Sequence, residues 1–247
     1  MRFSDCMQVA ETSMGRGLVA SRDIRKGEVV LSVPEDEILR ADSLEDLTEK
    51  LLAHTGWYKQ TLPRDLSYLP VYWSDEMLAE LPLFAREAVE NRKKGFDGKS
   101  EEWIWARSIC GSRNFGHNKQ YTLVPEADLM NSSETCKNTS WKFNDGFQME
   151  TTEFVGKGDE LFDSYGCKCA LSSFLYYGFV AQKLKNYHIE NNGAILTPRG
   201  SYIPPGWKPE KVPLGSGEAR KLNKMVRQIV RRAKVRARRV GIVSSRR

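Results

Sequence analysis

The chain has 247 residues, a formal net charge of +6 at pH 7 and five cysteines at irregular spacing. This length holds one large domain, or one domain with a fragment of a second. Residues 1–30 carry charges throughout, and no stretch approaches the roughly 20 apolar residues of a spanning helix. The cysteine pattern favours reduced thiols over a disulfide framework. These features predict a soluble intracellular protein and exclude a secreted or membrane-spanning one.

The N-terminal part of the chain predicts two short strands. The segments GLVASRDI and EVVLSVP flank the turn RKGE, in which Gly27 supplies a permissive backbone, so we expect a hairpin. Helix formers then dominate from about Ser43 to Leu83, where Ser43 is a good N-cap residue and three prolines divide the region. Further helices are predicted over Phe84 to Lys94 and over Glu101 to Ser112.

After Thr122 the pattern returns to short strands. Turns are predicted at Asp145-Gly146 and between Gly156 and Gly158. A strand-rich beginning and end around a helical middle predict one discontinuous α+β domain rather than two domains in series.

The basic charge is concentrated in the C-terminal tail. Residues 216–247 hold twelve Lys or Arg and one acid, a net charge of +11, so residues 1–215 carry −5. Apolar residues recur there at three- and four-residue spacing, which predicts a basic amphipathic helix. Packing of its apolar stripe on the rest of the protein is the favoured role, and nonspecific contact with polyanions such as nucleic acid is the alternative.

Four segments carry the strongest functional signal. They are GRGLVASRDIRKGEVVLSVP, WARSICGSRNF, LVPEADLMNSS and SYGCKCALSSFLYYGFV, the last directly after the acidic run GDELFD. In this order they resemble a SET-domain protein methyltransferase of the branch typified by the Rubisco large-subunit lysine methyltransferase. The resemblance covers roughly residues 9–180, and LSYLPVYWSDEMLAEL is similar to part of the branch's helical insertion.

The resemblance implies a SET β-core of small twisted sheets with a C-terminal pseudoknot. This domain would occupy residues 1–180, with the helical insertion at about 43–112. The irregular residues 181–217, which are Gly/Pro-rich from 198 to 217, would connect it to residues 218–247, the basic helix and tail. Only this short remnant would stand for the substrate-binding domain that follows in the branch.

The implied activity is transfer of a methyl group from S-adenosyl-L-methionine to a lysine ε-amine of a protein substrate, expected to be a non-histone protein. Two alternatives stay open: a protein-histidine methyltransferase of the same fold, and a catalytically silent SET module that binds protein or nucleic acid. Cytoplasm, nucleus and plastid are all compatible with the sequence.

The resemblance also implies the cofactor site. Arg113 would pair with the cofactor carboxylate, because a guanidinium suits bidentate pairing, and Asn131 would bond the cofactor amine. Ser132 stands where the family usually has histidine, and Asp128 is expected to hold the turn. The implied cofactor-binding set is Gly15, Arg16, Gly17, Arg113, Asn131, Ser132 and Tyr165.

Tyr165 is the implied catalytic residue, with its hydroxyl near the reacting centre in a narrow channel. Phe115 and Tyr177 would line the path of the target lysine. Ala170 departs from the family, which commonly has asparagine there. No metal site is predicted, because Cys167, Cys169 and Cys136 do not complete the four ligands that structural zinc needs.

Overall fold

The computed structural model describes residues 5–12, 15–81, 83–133, 136–166 and 170–179, together with three short strands between 188 and 202. The chain divides into two compact units. Unit 1 comprises residues 1–62 and 100–166, and unit 2 comprises residues 63–99 and 167–247. The predicted basic helix at 218–247 lies outside the described residues.

In its described residues, unit 1 has ten strands arranged in three small sheets. A four-stranded sheet has the order β1-β2-β10-β7, and two three-stranded sheets have the orders β3-β9-β8 and β4-β6-β5. The strands are β1 Met7–Thr12, β2 Gly15–Ala20, β3 Val29–Pro34, β4 Leu39–Ala41, β5 Asn114–His117, β6 Gln120–Leu123, β7 Asn131–Ser132, β8 Thr139–Phe143, β9 Gly146–Thr151 and β10 Glu160–Asp163. In unit 2, β11 His188–Ile189, β12 Ile195–Thr197 and β13 Gly200–Tyr202 form a further sheet.

Helices occupy the predicted middle of the chain. They are α1 Leu44–Ala53, α2 Trp57–Thr61, α3 Asp75–Ala79, α4 Leu83–Lys94 and α5 Glu101–Arg113, followed later by α6 Ala170–Tyr177. The Ser43 hydroxyl accepts a hydrogen bond from the Asp46 amide, which confirms the predicted N-cap of α1. Short 3₁₀ turns lie at Glu35–Glu37, Pro70–Tyr72 and Ala127–Leu129.

The predicted hairpin between the first two motif strands is wrong. Strand β2 pairs instead with β1 and β10, whereas β3 pairs with β9, so the two strands belong to different sheets. Each finds an apolar partner far along the chain: Leu18 faces Leu161, and Leu31 faces Met149. Local spacing suggested a hairpin, but strand pairing is set by the apolar faces that become buried, and all four of these residues are buried in the observed pairing.

Each unit has its own apolar core. In unit 1 the core includes Leu18, Ile24, Leu31, Phe147, Met149 and Leu161. In unit 2 the Trp73 and Phe174 rings meet edge to face with centroids 5.3 Å apart, within a cluster that includes Leu78, Ala85, Val89 and Leu171. Small sheets and helices thus combine in an α+β architecture, as predicted. Among the described residues, no helix is both long and apolar enough to cross a bilayer.

The Cys110 thiol is buried in α5, and this burial raises its pKa from 9.0 to about 12. Because the folded protein holds the proton more tightly, the thiol stabilises the fold fully below pH 9 and loses this effect as the pH rises towards 12. Between pH 9 and 12 we expect the free energy of unfolding of wild type to fall more steeply with pH than that of Cys110→Ala, by up to about 1.4 kcal/mol per pH unit.

Urea unfolding at pH 8, 9 and 10 measures this difference. The matched control is Cys136→Ala, which removes an exposed thiol and should follow the wild-type curve. Parallel curves for wild type and Cys110→Ala would contradict the role assigned to burial.

Candidate functional site

Strand β10 is held by both ends of the loop that follows the Ala127–Leu129 turn. At one end, β7 runs parallel to β10 and pairs Asn131 with Phe162, and the Ser133 amide donates to the Asp163 carbonyl at 2.8 Å. At the other end, Asn138 accepts from the Phe162 amide through its side-chain oxygen at 2.7 Å. Its side-chain nitrogen donates to the Glu160 carbonyl at 3.0 Å. The loop therefore fixes the strand that leads directly to Tyr165.

The Glu160 carboxylate contacts Asn131 and lies against strand β2 (Gly15–Ala20), which we call the glycine strand. Asn131 Nδ2 donates to Glu160 Oε1 at 2.7 Å, and Thr12 Oγ1 lies 3.2 Å from the same oxygen. A Cβ on Gly17 would lie 2.5 Å from Glu160 Oε1 and 2.6 Å from Asn131 Nδ2. Residue 17 must therefore be glycine, because the hydrogen-bonded Glu160 and Asn131 side chains occupy the space that its Cβ would need.

This network determines which way the Asn131 amide points. A carboxylate only accepts hydrogen bonds, so the NH₂ group of Asn131 must face Glu160. The same nitrogen lies 3.5 Å from the Arg16 carbonyl oxygen, which also only accepts. The Asn131 carbonyl oxygen is consequently turned away from both groups and suits a ligand that donates, such as an ammonium group.

The remaining members of the glycine strand contribute main chain. Gly15 has φ of +105°, a conformation that side chains rarely adopt, and its carbonyl accepts from Thr12 Oγ1 at 2.9 Å. The Arg16 side chain is exposed, and β1 residue Glu11 lies opposite it in the register. The structure thus presents Arg16 at the surface of the strand pair, beside Asn131.

Arg113 ends α5 and forms an ion pair that is nearly closed to solvent. Its Nη1 donates to the Asp128 main-chain oxygen at 2.7 Å and lies 3.1 Å from Asp128 Oδ2. The Asp128 side chain is only 1% exposed. The hydroxyl of Tyr58, buried in α2, donates to the same Oδ2 at 3.0 Å. Burial first, and then the Asp128 charge, raise the Tyr58 pKa well above its usual value, so this phenol remains a donor.

Tyr165 is anchored from two directions. Its hydroxyl donates to the Met130 carbonyl at 2.7 Å, and its backbone amide donates to Ser132 Oγ at 3.0 Å. The next residue, Gly166, has φ of +63°, which permits the sharp turn after the tyrosine. Because the O–H of the phenol already donates to a carbonyl, its oxygen can only accept a hydrogen bond from any further partner.

Phe115 lies in a cluster of aromatic rings on unit 1. Its ring meets those of Trp141 and Phe147 edge to face, with centroids 5.5 and 5.2 Å apart. The Trp141 indole NH donates to Asp163 Oδ2 at 2.9 Å, two residues before Tyr165. The aromatic cluster is thereby joined to the strand that carries the tyrosine. Part of it is core, since Phe147 is fully buried, whereas Phe115 and Trp141 are half-buried.

Tyr177 belongs to unit 2. It lies at the end of α6, where Gly178 with φ of +73° closes the helix by donating its amide to the Phe174 carbonyl at 3.0 Å. Its ring centroid is 6.0 Å from that of Phe179. Its predicted contact with the target lysine stays a prediction.

Unit 1 brings most of the predicted residues together through named contacts. Asn131 contacts the glycine strand, and Arg113 contacts Asp128 in the turn before it. Tyr165 contacts Met130 and Ser132, the two sequence neighbours of Asn131. The sequence did not reveal Tyr58, Thr12 or Glu160 as members of the site. Glu160 could have been predicted, because it belongs to the acidic run GDELFD that precedes Tyr165. No sequence pattern around Tyr58 indicates its contact with Asp128.

Within the part of the chain that the structure describes, no group of three or more His, Cys, Asp or Glu side chains is arranged to hold a metal ion. Cys136 is exposed there, and Cys167 and Cys169 lie outside the described residues.

The sequence profile described as "SET domain" matches residues 15–166, more than half of the chain. The chain belongs to the SET domain family. This match spans the glycine strand, the helical middle and Tyr165, so the family resemblance seen in the four motifs is confirmed.

Two curated SET relatives are each 27% identical to this chain. One is the [fructose-bisphosphate aldolase]-lysine N-methyltransferase, chloroplastic, of Arabidopsis thaliana, aligned over 69% of this chain and 47% of its own length. The other is the ribulose-1,5 bisphosphate carboxylase/oxygenase large subunit N-methyltransferase, chloroplastic, of Nicotiana tabacum, aligned over 67% and 45%. The chain thus spans about half the length of these relatives, whose names support the predicted branch.

Solved structures confirm the SET fold. A structure of Rubisco LSMT bound to AdoMet has a TM-score of 0.68 at 19% identity and covers 93% of this chain and 71% of its own. The SET domain of LSMT bound to MeLysine and AdoHcy has a TM-score of 0.61 at 20% identity, covering 72% and 53%.

Replacement of Gly17 tests the packing around Glu160. In Gly17→Ala the new methyl group must displace the Glu160 carboxylate or the Asn131 amide, so we expect the variant to be destabilised by about 1–3 kcal/mol. Gly116→Ala is the matched control: like Gly17 it lies in a strand without a positive φ, but its Cβ would meet no atom within 4 Å. Urea unfolding compares them, and equal losses would contradict the crowding of Gly17 by Glu160 and Asn131.

Proposed function

We propose that this protein is an S-adenosyl-L-methionine-dependent protein-lysine N-methyltransferase. The observation that carries the proposal is the pair of polar groups fixed around one turn. The Asn131 carbonyl suits an ammonium group, and the Arg113 guanidinium, tied to Asp128, suits a carboxylate. Together they match the amino-acid part of the methyl donor, next to the anchored Tyr165 phenol.

The relatives support the same reaction class. Both curated relatives are named as N-methyltransferases acting on a plant enzyme, one of them explicitly on lysine. The solved SET domains were bound to AdoMet, to AdoHcy with lysine, or to AdoHcy with methyllysine. These names motivate a protein substrate that presents a lysine, and a non-histone target is the finer part of the proposal.

S-adenosyl-L-methionine, when bound, supplies a methyl group whose bond to sulfur breaks as the bond to nitrogen forms, leaving S-adenosyl-L-homocysteine. The chain's residues must then position a neutral amine in line with that methyl group. A free lysine has a pKa of about 10.4 and is mostly protonated at neutral pH. Apolar surroundings favour loss of its proton, and Phe115 and Trp141 provide such surroundings on unit 1.

The proposed role of Tyr165 follows from its hydrogen bonds. Its O–H donates a hydrogen bond to the Met130 carbonyl, so its oxygen serves as an acceptor that orients an N–H of the target amine. The phenol therefore aims the nucleophile and need not act as a base. Ser132 secures the Tyr165 backbone from the position where the family usually has histidine.

A protein-histidine methyltransferase would use the same donor site. A catalytically silent module was suggested by Ser132 and Ala170. In the structure the Ser132 main chain pairs with Asp163 and its hydroxyl holds Tyr165. Because this position still supports the tyrosine, we favour the enzyme. Contact of the basic tail with polyanions, and the choice among plastid, cytoplasm and nucleus, stay predictions.

The direct test is transfer of an isotopically labelled methyl group. Purified protein is incubated with labelled S-adenosyl-L-methionine and lysate, and labelled bands are analysed by mass spectrometry. We expect methyllysine in a defined protein band. Label on histidine would replace the lysine proposal, and donor binding without transfer to any protein or peptide would favour the silent module.

Tyr165→Phe tests the proposed catalytic residue. The ring remains while the hydroxyl is lost, so we expect methyl transfer to fall at least about ten-fold, equivalent to roughly 1.4 kcal/mol of transition-state stabilisation. Donor affinity, measured by calorimetry, should stay within about two-fold of wild type. Tyr121→Phe, on strand β6, is the matched control and should retain transfer. Full turnover by Tyr165→Phe would remove Tyr165 from this role.

A further inference from the structure

The contacts of Asp128 link Arg113, a predicted donor-binding residue, to a tyrosine that the sequence did not single out. Tyr58 and Arg113 both reach Asp128 Oδ2, at 3.0 and 3.1 Å. Arg113 also donates to the Asp128 main-chain oxygen. Asn131, three residues after Asp128 in the sequence, begins the strand β7 that follows this turn.

Burial makes this network sensitive to each of its members. The Asp128 side chain is 1% exposed and the Arg113 side chain 17% exposed, so water screens their charges weakly. A buried carboxylate needs full hydrogen bonding, and loss of one donor leaves an oxygen lone pair unsatisfied. Tyr58 is 2% exposed and supplies the neutral donor to the pair.

The geometry also limits where the guanidinium can point. One nitrogen of Arg113 contacts both the side chain and the main chain of a single residue, which restricts rotation of the planar group about its bonds. The Tyr58 hydroxyl donates to the same carboxylate oxygen and restrains it further. The orientation of Arg113 thus depends on a phenol in α2 that is separated from it in sequence by the rest of the helical region.

We infer that Tyr58 is a positioning residue for the donor site: through Asp128 it holds Arg113 in the orientation that receives the donor's carboxylate. This inference rests on the proposed function. It assigns Tyr58 no contact with the donor. Its effect is therefore confined to ligands that carry a carboxylate at that position.

Two ligands separate this role from a purely structural one. S-adenosyl-L-methionine carries the amino-acid carboxylate, whereas 5′-methylthioadenosine lacks the amino-acid part. In Tyr58→Phe we expect affinity for S-adenosyl-L-methionine to fall on the order of five-fold, as for coupled groups in one network. Affinity for 5′-methylthioadenosine should change by less than about two-fold. Isothermal calorimetry on the full chain measures both.

Arg113→Lys is the reference variant, since an ammonium cannot form the bidentate pair. It should show the same selective loss, at least as large as that of Tyr58→Phe. Tyr121→Phe, which removes a hydroxyl elsewhere in unit 1, should bind both ligands as wild type does. Steady-state kinetics should show a raised KM for the donor with kcat nearly unchanged in Tyr58→Phe.

The outcomes distinguish the two proposals. Equal weakening for both ligands, or no weakening, in Tyr58→Phe would overturn the positioning role while leaving the methyltransferase proposal intact. Absence of donor binding to wild type would overturn the proposed function itself. If Tyr58→Phe does not fold, a crystal structure of wild type with the donor decides: the inference requires a carboxylate on Arg113 with both Asp128 contacts retained. An Arg113 that has left Asp128 would refute it.

Discussion

The candidate site depends on how strand β10 is held. Three of its four residues bind different partners: the Glu160 carboxylate contacts Asn131 and Thr12, the Phe162 amide donates to Asn138, and the Asp163 carboxylate accepts from the Trp141 indole. Each of these contacts joins residues more than 20 positions apart in the sequence. Because hydrogen bonds hold the strand along its length, they also fix the start of the turn that follows and thereby the position of Tyr165. A short strand with only ladder bonds would leave the phenol far less constrained.

Carboxylates organise the polar side of the site without themselves being candidates for catalysis. Glu160 orients an amide, and Asp128 orients a guanidinium. Each uses the fact that an ionised carboxylate only accepts hydrogen bonds, so its partners must turn their donors inward. In the proposed function, the Asn131 amide oxygen would receive the ammonium group of the donor's amino-acid part, and the Arg113 guanidinium would receive its carboxylate.

The sequence predicted what local chemistry determines. The Ser43 cap, the Asp145-Gly146 turn and the helical middle follow from side chains that act on nearby backbone, and all are present. Pairing of β2 with β3 was wrong because partner choice depends on residues more than 100 positions away. Tyr58 was missed for the same reason: a tyrosine on a short helix looks like core until its hydroxyl is seen on Asp128. Motif order supplied Asn131 and Arg113, but not the residues that orient them.

The departure at Ser132 is best understood from the backbone. In this fold the residue after Asn131 pairs with Asp163 through its main chain, and any side chain permits that pairing. Serine adds a hydroxyl that accepts the Tyr165 amide at 3.0 Å, a bond of the kind that tightens turns. The phenol of the same tyrosine donates a hydrogen bond to the Met130 carbonyl, so backbone and side chain of Tyr165 are both held by this segment. Serine in place of the usual histidine thus forms a direct hydrogen bond to the proposed catalytic residue, Tyr165. For this reason, the departure from the motif is a weak argument against activity.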